Sequence, residues 1–200
     1  MSTTGAVTEI SAPVSFLAGD TESSTEIVIL DEGTTLLPIE IFVNAIGVGL
    51  HSGSSGAPVA IASGTLVHTY LVHFDPAGGV VTLSGDVFFD PGETILGIQT
   101  HTPWLDGSDA VVGEATATYP TGLLEFRAFE TLPGTDTVFI APGLGSASFT
   151  LFAELGIDEA RIVTTSVPAP SSLALLLLGL AAFGVGTTPL ARTRSGRGLT

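Results

Sequence analysis

Alternation of apolar and polar side chains is the feature that most limits how this chain folds. In residues 146–155 every second side chain is apolar or aromatic, and in residues 65–75 the same holds for every second side chain except His68. A period of two residues places successive side chains on opposite faces, as in a β-strand. Before Leu173, no comparable ten-residue segment has apolar residues at helical spacing. The sequence therefore predicts a body built from strands.

Short turns separate the predicted strands. The segments 75–79, 90–92, 132–134 and 141–143 each combine a proline with a glycine, which favours tight turns. Nine strands are predicted, at 25–30, 38–48, 65–75, 80–89, 94–99, 123–129, 137–140, 146–155 and 160–165. Strands at this spacing without helical connections favour an all-β fold, specifically an antiparallel, jelly-roll-like β-sandwich over residues 1–166. A barrel is the alternative.

The charge is distributed very unevenly. The chain has no lysine or cysteine, and residues 1–170 hold all 20 acidic residues but only two arginines, a net charge of −18 with neutral histidines. Such a body repels phosphate, so nucleic acid is excluded as an expected partner. The absence of cysteine excludes disulfides, thiolate zinc sites and a cysteine nucleophile. The last thirty residues carry a charge of +3 and form a separate module.

An uncharged run predicts a transmembrane helix at about 171–191. At about 1.5 Å per residue this run spans about 31 Å, close to the hydrocarbon thickness of a bilayer. The predicted membrane anchor consists of Leu173, Leu175, Leu176, Leu177, Leu178, Leu180 and Phe183. A positive cluster of Arg192, Arg194 and Arg197 follows, and the positive-inside rule places it in the cytoplasm with the acidic body outside. A buried core helix is the alternative.

The order of motifs in residues 167–200 resembles the PEP-CTERM sorting tail of exported bacterial proteins. A Pro-x-Pro motif at 168–170 precedes the Leu-rich span, and an Arg-rich end at 192–200 follows it. The corresponding sorting motif is Val167, Pro168, Ala169, Pro170 and Ser171, with Ala169 where the family usually has Glu. The body also resembles ectodomains of such proteins in the segments TLVHTYLVHFDP and LDGSDAVVG.

This resemblance implies recognition and cleavage by an exosortase-type membrane transpeptidase. It also implies delivery to the cell surface or extracellular matrix, often together with exopolysaccharide. Similar tails occur on some ice-binding proteins. However, the Thr-x-Thr element at Thr116-Ala117-Thr118 does not recur at a fixed period, so ice binding is not expected.

The N-terminal residues lack the basic and apolar regions of a secretory signal peptide. Because an external body requires export, we expect the true start to lie upstream of Met1. The competing interpretation is a tail-anchored protein with a cytoplasmic body.

The sequence contains no common nucleophile, metalloprotease or phosphate-binding motif. His73 and Asp75 share a strand face, where a surface pair is favoured over part of a catalytic triad, and His68 is predicted to be a hydrogen-bonded core histidine. Calcium is the candidate metal, because Asp106 and Asp109 flank Gly107 in a predicted acidic loop with hard oxygen ligands. A second acidic group is Asp86, Asp90 and Glu93.

The two arginines of the body are expected to form structural ion pairs. The candidate partners of Arg127 and Arg161 are Glu125, Glu130, Asp158 and Glu159. Trp104 is the only tryptophan and is predicted to lie in a loop, where with His101 it forms a candidate binding tip or plugs the end of the sandwich.

These observations favour an exported, surface-anchored or matrix-associated, non-enzymatic structural or interaction protein. The alternative is an extracellular carbohydrate-binding module or carbohydrate-active enzyme. An enzyme would cluster carboxylates with raised pKa values in one cleft, whereas a structural module would distribute them over loops.

Overall fold

A computed structural model describes residues 1–11, 14–54, 56–122, 127–129, 136–153 and 156–165. Within them lie the strands β1 (Ser2–Gly5), β2 (Val7–Ile10), β3 (Ile27–Leu36), β4 (Ile41–Val43), β5 (Gly49–Ser52), β6 (Val59–Ile61), β7 (Leu66–Phe74), β8 (Val81–Phe88), β9 (Ile95–Gln99), β10 (Thr137–Ile140), β11 (Ser146–Ala153) and β12 (Asp158–Thr165). One helix, α1 (Thr102–Val112), lies between β9 and β10.

The strands form two five-stranded sheets and a small two-stranded one. The first sheet has the order β1-β8-β11-β10-β5, and the second has the order β2-β3-β7-β12-β9. Strands β4 and β6 pair separately. All of these pairs are antiparallel except β2 with β3. The prediction of an all-β fold with antiparallel sheets is confirmed.

The main core lies between the two five-stranded sheets. Strands β8 and β11 contribute Val87, Phe149 and Leu151 from one side, and β7 and β12 contribute Val72 and Ile162 from the other. These side chains occupy alternate positions along their strands, so the period of two in the sequence marks the face that is buried.

The second sheet is buried on its other face as well. Val28, Leu30 and Leu71 pack there with Phe16 and with Leu105 of α1. Near the C-terminal end of the helix, Val112 packs with Val67 and Val163 in another cluster. The second sheet therefore separates two packed layers, and α1 belongs to the outer one.

Seven of the predicted strands are confirmed, with boundary differences. The predicted strand at 38–48 is only partly confirmed, because β4 covers just Ile41–Val43. Residues 127–129 are not in a strand, and 123–126 lie outside the described residues. Strands β1, β2, β5 and β6 were not predicted; each has only three or four residues, and β10 is the one strand as short as four residues that the sequence does predict in full. Such segments are too short to establish a period.

The predicted loop around Trp104 and the acidic motif is wrong, because both lie in α1. No helix in the described ranges is long and apolar enough to cross a membrane. The tail at 167–200 lies outside those ranges, and so do its sorting motif, its predicted membrane span and its Arg cluster.

Candidate functional site

Helix α1 turns a partly polar face toward the second sheet. Its buried residues are Leu105, Ser108, Asp109 and Val112, whose spacing of i, i+3, i+4 and i+7 defines one side of a helix. Pro103 occupies the first turn, where a missing N–H has little cost. The acidic motif therefore points its second carboxylate inward rather than into solvent.

Arg161 of β12 is the first of two buried cations beneath this helix. Its Nε and Nη2 atoms donate to Glu32 of β3 at 2.7 and 2.8 Å. The guanidinium also donates to Asp109 at 2.9 Å and to the Ser108 hydroxyl at 2.5 Å. One side chain thus links two strands of the second sheet to α1.

Arg127 is the second buried cation and has a parallel arrangement. Its Nε donates to Glu159 of β12 at 2.5 Å, and its Nη1 donates to Asp109 at 2.6 Å and to Asp106 at 2.9 Å. Asp109 therefore bridges both arginines. The prediction of structural ion pairs is confirmed, with Glu159 as the one predicted partner that the described contacts include. Glu32 was missed because it is far from both arginines in sequence.

The electrostatics of this network favour its charged form. Burial acts to raise the pKa of Asp109, but Arg161 and Arg127 outweigh burial and hold that pKa below its ordinary value. Burial acts to lower the pKa of Arg127, whereas Glu159 and Asp109 raise it overall. Asp109 and Arg127 therefore stay charged at neutral pH, and their ion pair helps to hold α1 on the sheet.

The calcium site predicted at Asp106 and Asp109 is not supported by this geometry. The Asp106 oxygens accept from Arg127 and from the Gly122 amide, the latter at 3.0 Å. The Asp109 oxygens accept from both arginines and from the Thr121 hydroxyl. Among the described residues, no group of three or more His, Cys, Asp or Glu side chains could hold a metal ion. Guanidinium groups occupy the positions that a cation would need.

A groove lies between the exposed side of α1 and residues 39–42. Its volume is about 220 Å³, and its lining consists of Ile39, Glu40, Ile41, Phe42, Pro103, Trp104, Gly107 and Ser108. The Trp104 ring lies 4.7 Å from the His101 ring between centroids. We call this feature the Trp104 groove.

The Trp104 groove combines apolar walls with one exposed carboxylate. Phe42 and Ile39 are 36% and 55% exposed, and Glu40 lies between them in the chain. The Ser108 hydroxyl donates to the Gln99 side-chain oxygen at 2.7 Å and also lies 3.1 Å from the Leu105 carbonyl oxygen, so it is already engaged inside the protein. Apolar rings beside a polar acceptor suit an uncharged ligand with hydroxyl groups or an apolar side chain of a partner.

A second cluster of ionisable residues lies at the end of the main core. The Tyr70 hydroxyl donates to the buried carboxylate of Glu93 at 3.0 Å, and Thr164 donates to the same carboxylate. The His68 ring stacks on Tyr70 with centroids 4.6 Å apart, and its Nε2 lies 2.6 Å from Asp31. The hydrogen bond predicted for His68 is confirmed, although this residue is partly exposed.

The pKa values in this cluster do not suit a proton donor at Asp31. The hydrogen bond with His68 lowers the pKa of Asp31 and raises the pKa of His68. Asp31 also lines an open cleft of about 520 Å³ together with Glu9 and Ser11. A glycosidase acid needs a raised pKa in such a cleft, and the shift at Asp31 has the opposite direction.

The other candidate residues from the sequence lie apart from these two clusters or have different partners from those predicted. His73 is fully buried and its Nδ1 lies 2.9 Å from Glu159, so the predicted surface pair with Asp75 is wrong. Asp75 instead accepts from the Gly19 amide at 2.7 Å. Asp86 accepts from Thr4 and Ser148, whereas Asp90 accepts from the N-terminal ammonium group.

No family model, curated protein or solved structure matches this chain.

Proposed function

We propose that the chain is an exported, surface-anchored or matrix-associated, non-enzymatic structural or interaction protein. An exosortase-type transpeptidase sorts it, and exopolysaccharide is the expected neighbour at its destination. The sequence of residues 167–200 supports this location through the Pro-x-Pro motif, the uncharged span and the Arg cluster. The proposal includes a transmembrane helix at about 171–191 and jelly-roll-like connections in the body.

The observation that carries the non-enzymatic part is how the buried carboxylates are engaged. Glu32, Asp109 and Glu159 are paired with arginines, and Glu93 accepts from two hydroxyls. Carboxylates held in this way stabilise the fold but are not available to donate protons to a substrate. Binding at an exposed surface is the activity that this arrangement supports best.

A carbohydrate-binding module is the second candidate, and the Trp104 groove favours it. An indole ring can stack on the apolar face of a sugar, while the Glu40 carboxylate accepts hydrogen bonds from hydroxyls. The groove is smaller than the roughly 300 Å³ or more of most ligand pockets, so one sugar ring is the expected occupant.

Sorting and binding are tested separately. In cells that export the chain, protease added to intact spheroplasts should digest the body of the unprocessed form, because the body faces outward. Full protection of the body would contradict export. Deleting residues 167–200 should release the body from the membrane fraction without changing its fold, which circular dichroism checks.

Binding is tested with purified protein and neutral polysaccharides, measured by calorimetry and by release of reducing ends. Carbohydrate binding predicts heat of binding that is lost in Trp104→Ala and retained in Phe88→Ala, which removes an exposed aromatic ring from the first sheet. An interaction protein without carbohydrate affinity predicts no heat of binding with the unmodified protein or with either variant. Release of reducing ends would contradict the non-enzymatic proposal.

A further inference from the structure

Strand β5 leaves one edge of the first sheet open. Among the described strands it pairs only with β10, and it is the last strand in that sheet. The Gly53 amide donates to the Asp136 carbonyl, which makes Gly53 and Asp136 a hydrogen-bonded pair in the antiparallel ladder. Because such pairs alternate along the strands, the N–H and C=O of Leu50 point away from β10.

The side chains at this edge are apolar and exposed. Leu50 is 67% exposed, more than any other large apolar residue described in the chain. It lies directly opposite Phe139, which is 40% exposed, and Val48 just before β5 is 55% exposed. An edge strand with these properties is a template for pairing with another strand.

This edge lies in a part of the protein without carboxylate side chains and, apart from histidine, without basic ones. Residues 41–74 and 137–153 contain no Asp, Glu, Lys or Arg, although the body has a net charge of −18. The first segment includes β5, and the second includes β10 and β11. Two copies of the body can therefore approach each other here without bringing carboxylates together.

The other sheet edges lack this combination. At the β1 edge, Thr4 donates a hydrogen bond to the Asp86 carboxylate of β8, and the β2 edge carries Glu9. Both edges therefore have an acidic side chain, unlike β5. The open side of β9 is occupied, because Ile98 exchanges hydrogen bonds with Ala45. Natural edge strands are protected by Lys, Pro, bulges or covering segments, and β5 has no Lys, Pro or acidic residue.

We propose that β5 is a self-association edge at which two copies of this chain pair about a twofold axis. The two β5 strands run antiparallel and Leu50 lies opposite Leu50 of the second copy, with two N–H···O=C bonds between them. The Leu50 and Phe139 side chains of both copies then form one apolar stripe across a ten-stranded sheet. A second copy fits better than an unrelated strand because a twofold contact is self-complementary and both sides are uncharged.

Cysteine cross-linking tests this geometry directly, since the chain has no cysteine of its own. Leu50→Cys and the control Val80→Cys are compared in the full-length protein in mild detergent under oxidising conditions. Val80 is a suitable control because it is 61% exposed and lies outside β5. Paired β5 strands bring the two introduced sulfur atoms within disulfide distance, so Leu50→Cys should give about tenfold more disulfide dimer than the control. Equal yields at the two positions would overturn the proposal.

Sedimentation of the Leu50→Lys variant distinguishes a dimer formed through β5 from a dimer formed through the C-terminal tail. Two lysines placed opposite each other repel, so the dimer of this variant should dissociate at about tenfold higher protein concentration than that of the unmodified chain. Val80→Lys should leave the association unchanged. Circular dichroism of all variants checks that the fold is retained. A dimer that persists undiminished in Leu50→Lys, or an unmodified chain that is monomeric at high concentration, would contradict pairing at β5.

Discussion

Arg161 and Glu32 form a fully buried, bidentate ion pair that joins β12 to β3, although they are 129 residues apart in the chain. The same guanidinium also donates to Asp109 of α1. Charge is expensive to bury, and the cost is offset here because each guanidinium nitrogen meets an oxygen acceptor. Because Arg161 bonds to Glu32 in the sheet and to Asp109 in α1, it determines where the helix attaches to the sheet.

Removing one partner of this pair should be strongly destabilising. Arg161→Met leaves the Glu32 carboxylate buried without its cation, at an expected cost of about 3–5 kcal/mol in the free energy of unfolding. The double variant Arg161→Met/Glu32→Leu should recover part of that loss, because it also removes the unpaired charge. Urea unfolding of both variants measures the difference. A loss below about 1 kcal/mol in Arg161→Met would place the pair among weak surface interactions.

The pair of His68 and Asp31 should make stability depend on pH. The bond to Asp31 raises the pKa of His68 above its ordinary 6.5, so its contribution is complete below pH 6.5 and lost as pH rises through the higher folded-state value. The lowered pKa of Asp31 gives a contribution that is complete above 3.8 and lost as pH falls through the folded-state value. The pair therefore stabilises most between these two limits.

Thermal unfolding of the unmodified chain and of His68→Gln tests this dependence. The difference in stability between them should be greatest between pH 3.8 and 6.5 and should shrink above that range. Its size should not exceed about 1 kcal/mol, because the pair is partly exposed to solvent. A difference that stays constant well above that range would show that His68 contributes by packing alone.

The surroundings of Gly97 and Gly107 predict opposite effects on stability when each glycine is replaced by alanine. A Cβ atom at Gly97 would lie 2.5 Å from Cγ2 of Val43, so Gly97→Ala should destabilise the fold by about 1–3 kcal/mol. Gly107 lies inside α1 with nothing within 4 Å of its added Cβ, so Gly107→Ala should stabilise by about 0.5–1 kcal/mol. Urea unfolding of the two variants compares them. The same sign for both would contradict the packing at Gly97.

Calcium should not stabilise the fold through Asp106 and Asp109. Both carboxylates are occupied by Arg127, so melting temperatures in calcium and in sodium at equal ionic strength should agree. Asp109→Asn should lower the melting temperature equally in both solutions, because it weakens the ion pairs and not a metal site. A saturable increase with calcium that Asp109→Asn abolishes would contradict this expectation.

Membrane attachment should depend on the Leu-rich span. Replacing Leu176 and Leu178 with Asp costs about 2.5–3.5 kcal/mol for each residue near the bilayer centre, enough to prevent insertion. The unprocessed double variant should move to the soluble fraction, which fractionation and immunoblotting measure. The matched variant Leu176→Ala/Leu178→Ala keeps the span uncharged and should stay with membranes. Retention of the Asp variant would place the anchor elsewhere.

The strands with a long apolar alternation could be predicted from the sequence, but helix α1 could not. Its inward positions 105, 108, 109 and 112 have helical spacing, yet Ser108 and Asp109 are polar because they meet arginines. A search for apolar periodicity misses such a face, and the order Asp-Gly-Ser-Asp favours a turn on local grounds.

The full ion-pair network around Asp109 could not be predicted either, because it depends on contacts between residues that are distant in sequence. Whether Asp109 binds a metal or a guanidinium depends on which strands lie beneath it, and that depends on sheet order. Strand β12 lies between β7 and β9, and neither neighbour is adjacent in sequence. Local patterns identify strands but carry little information about such distant pairing, so Glu32 was not among the expected partners.

The position of β12 also determines when the fold can be completed. This strand is the last described strand in sequence, yet it is an interior strand of the second sheet, bonded to β7 on one side and β9 on the other. While the chain is being synthesised, β7 and β9 have no partner strand between them until residues 158–165 emerge. The nascent body therefore stays incompletely folded through most of its synthesis, and contacts this distant in sequence make the final step slow. Such a delay is compatible with the export proposed above, because a chain that crosses a membrane in an extended state must stay unfolded until it has crossed.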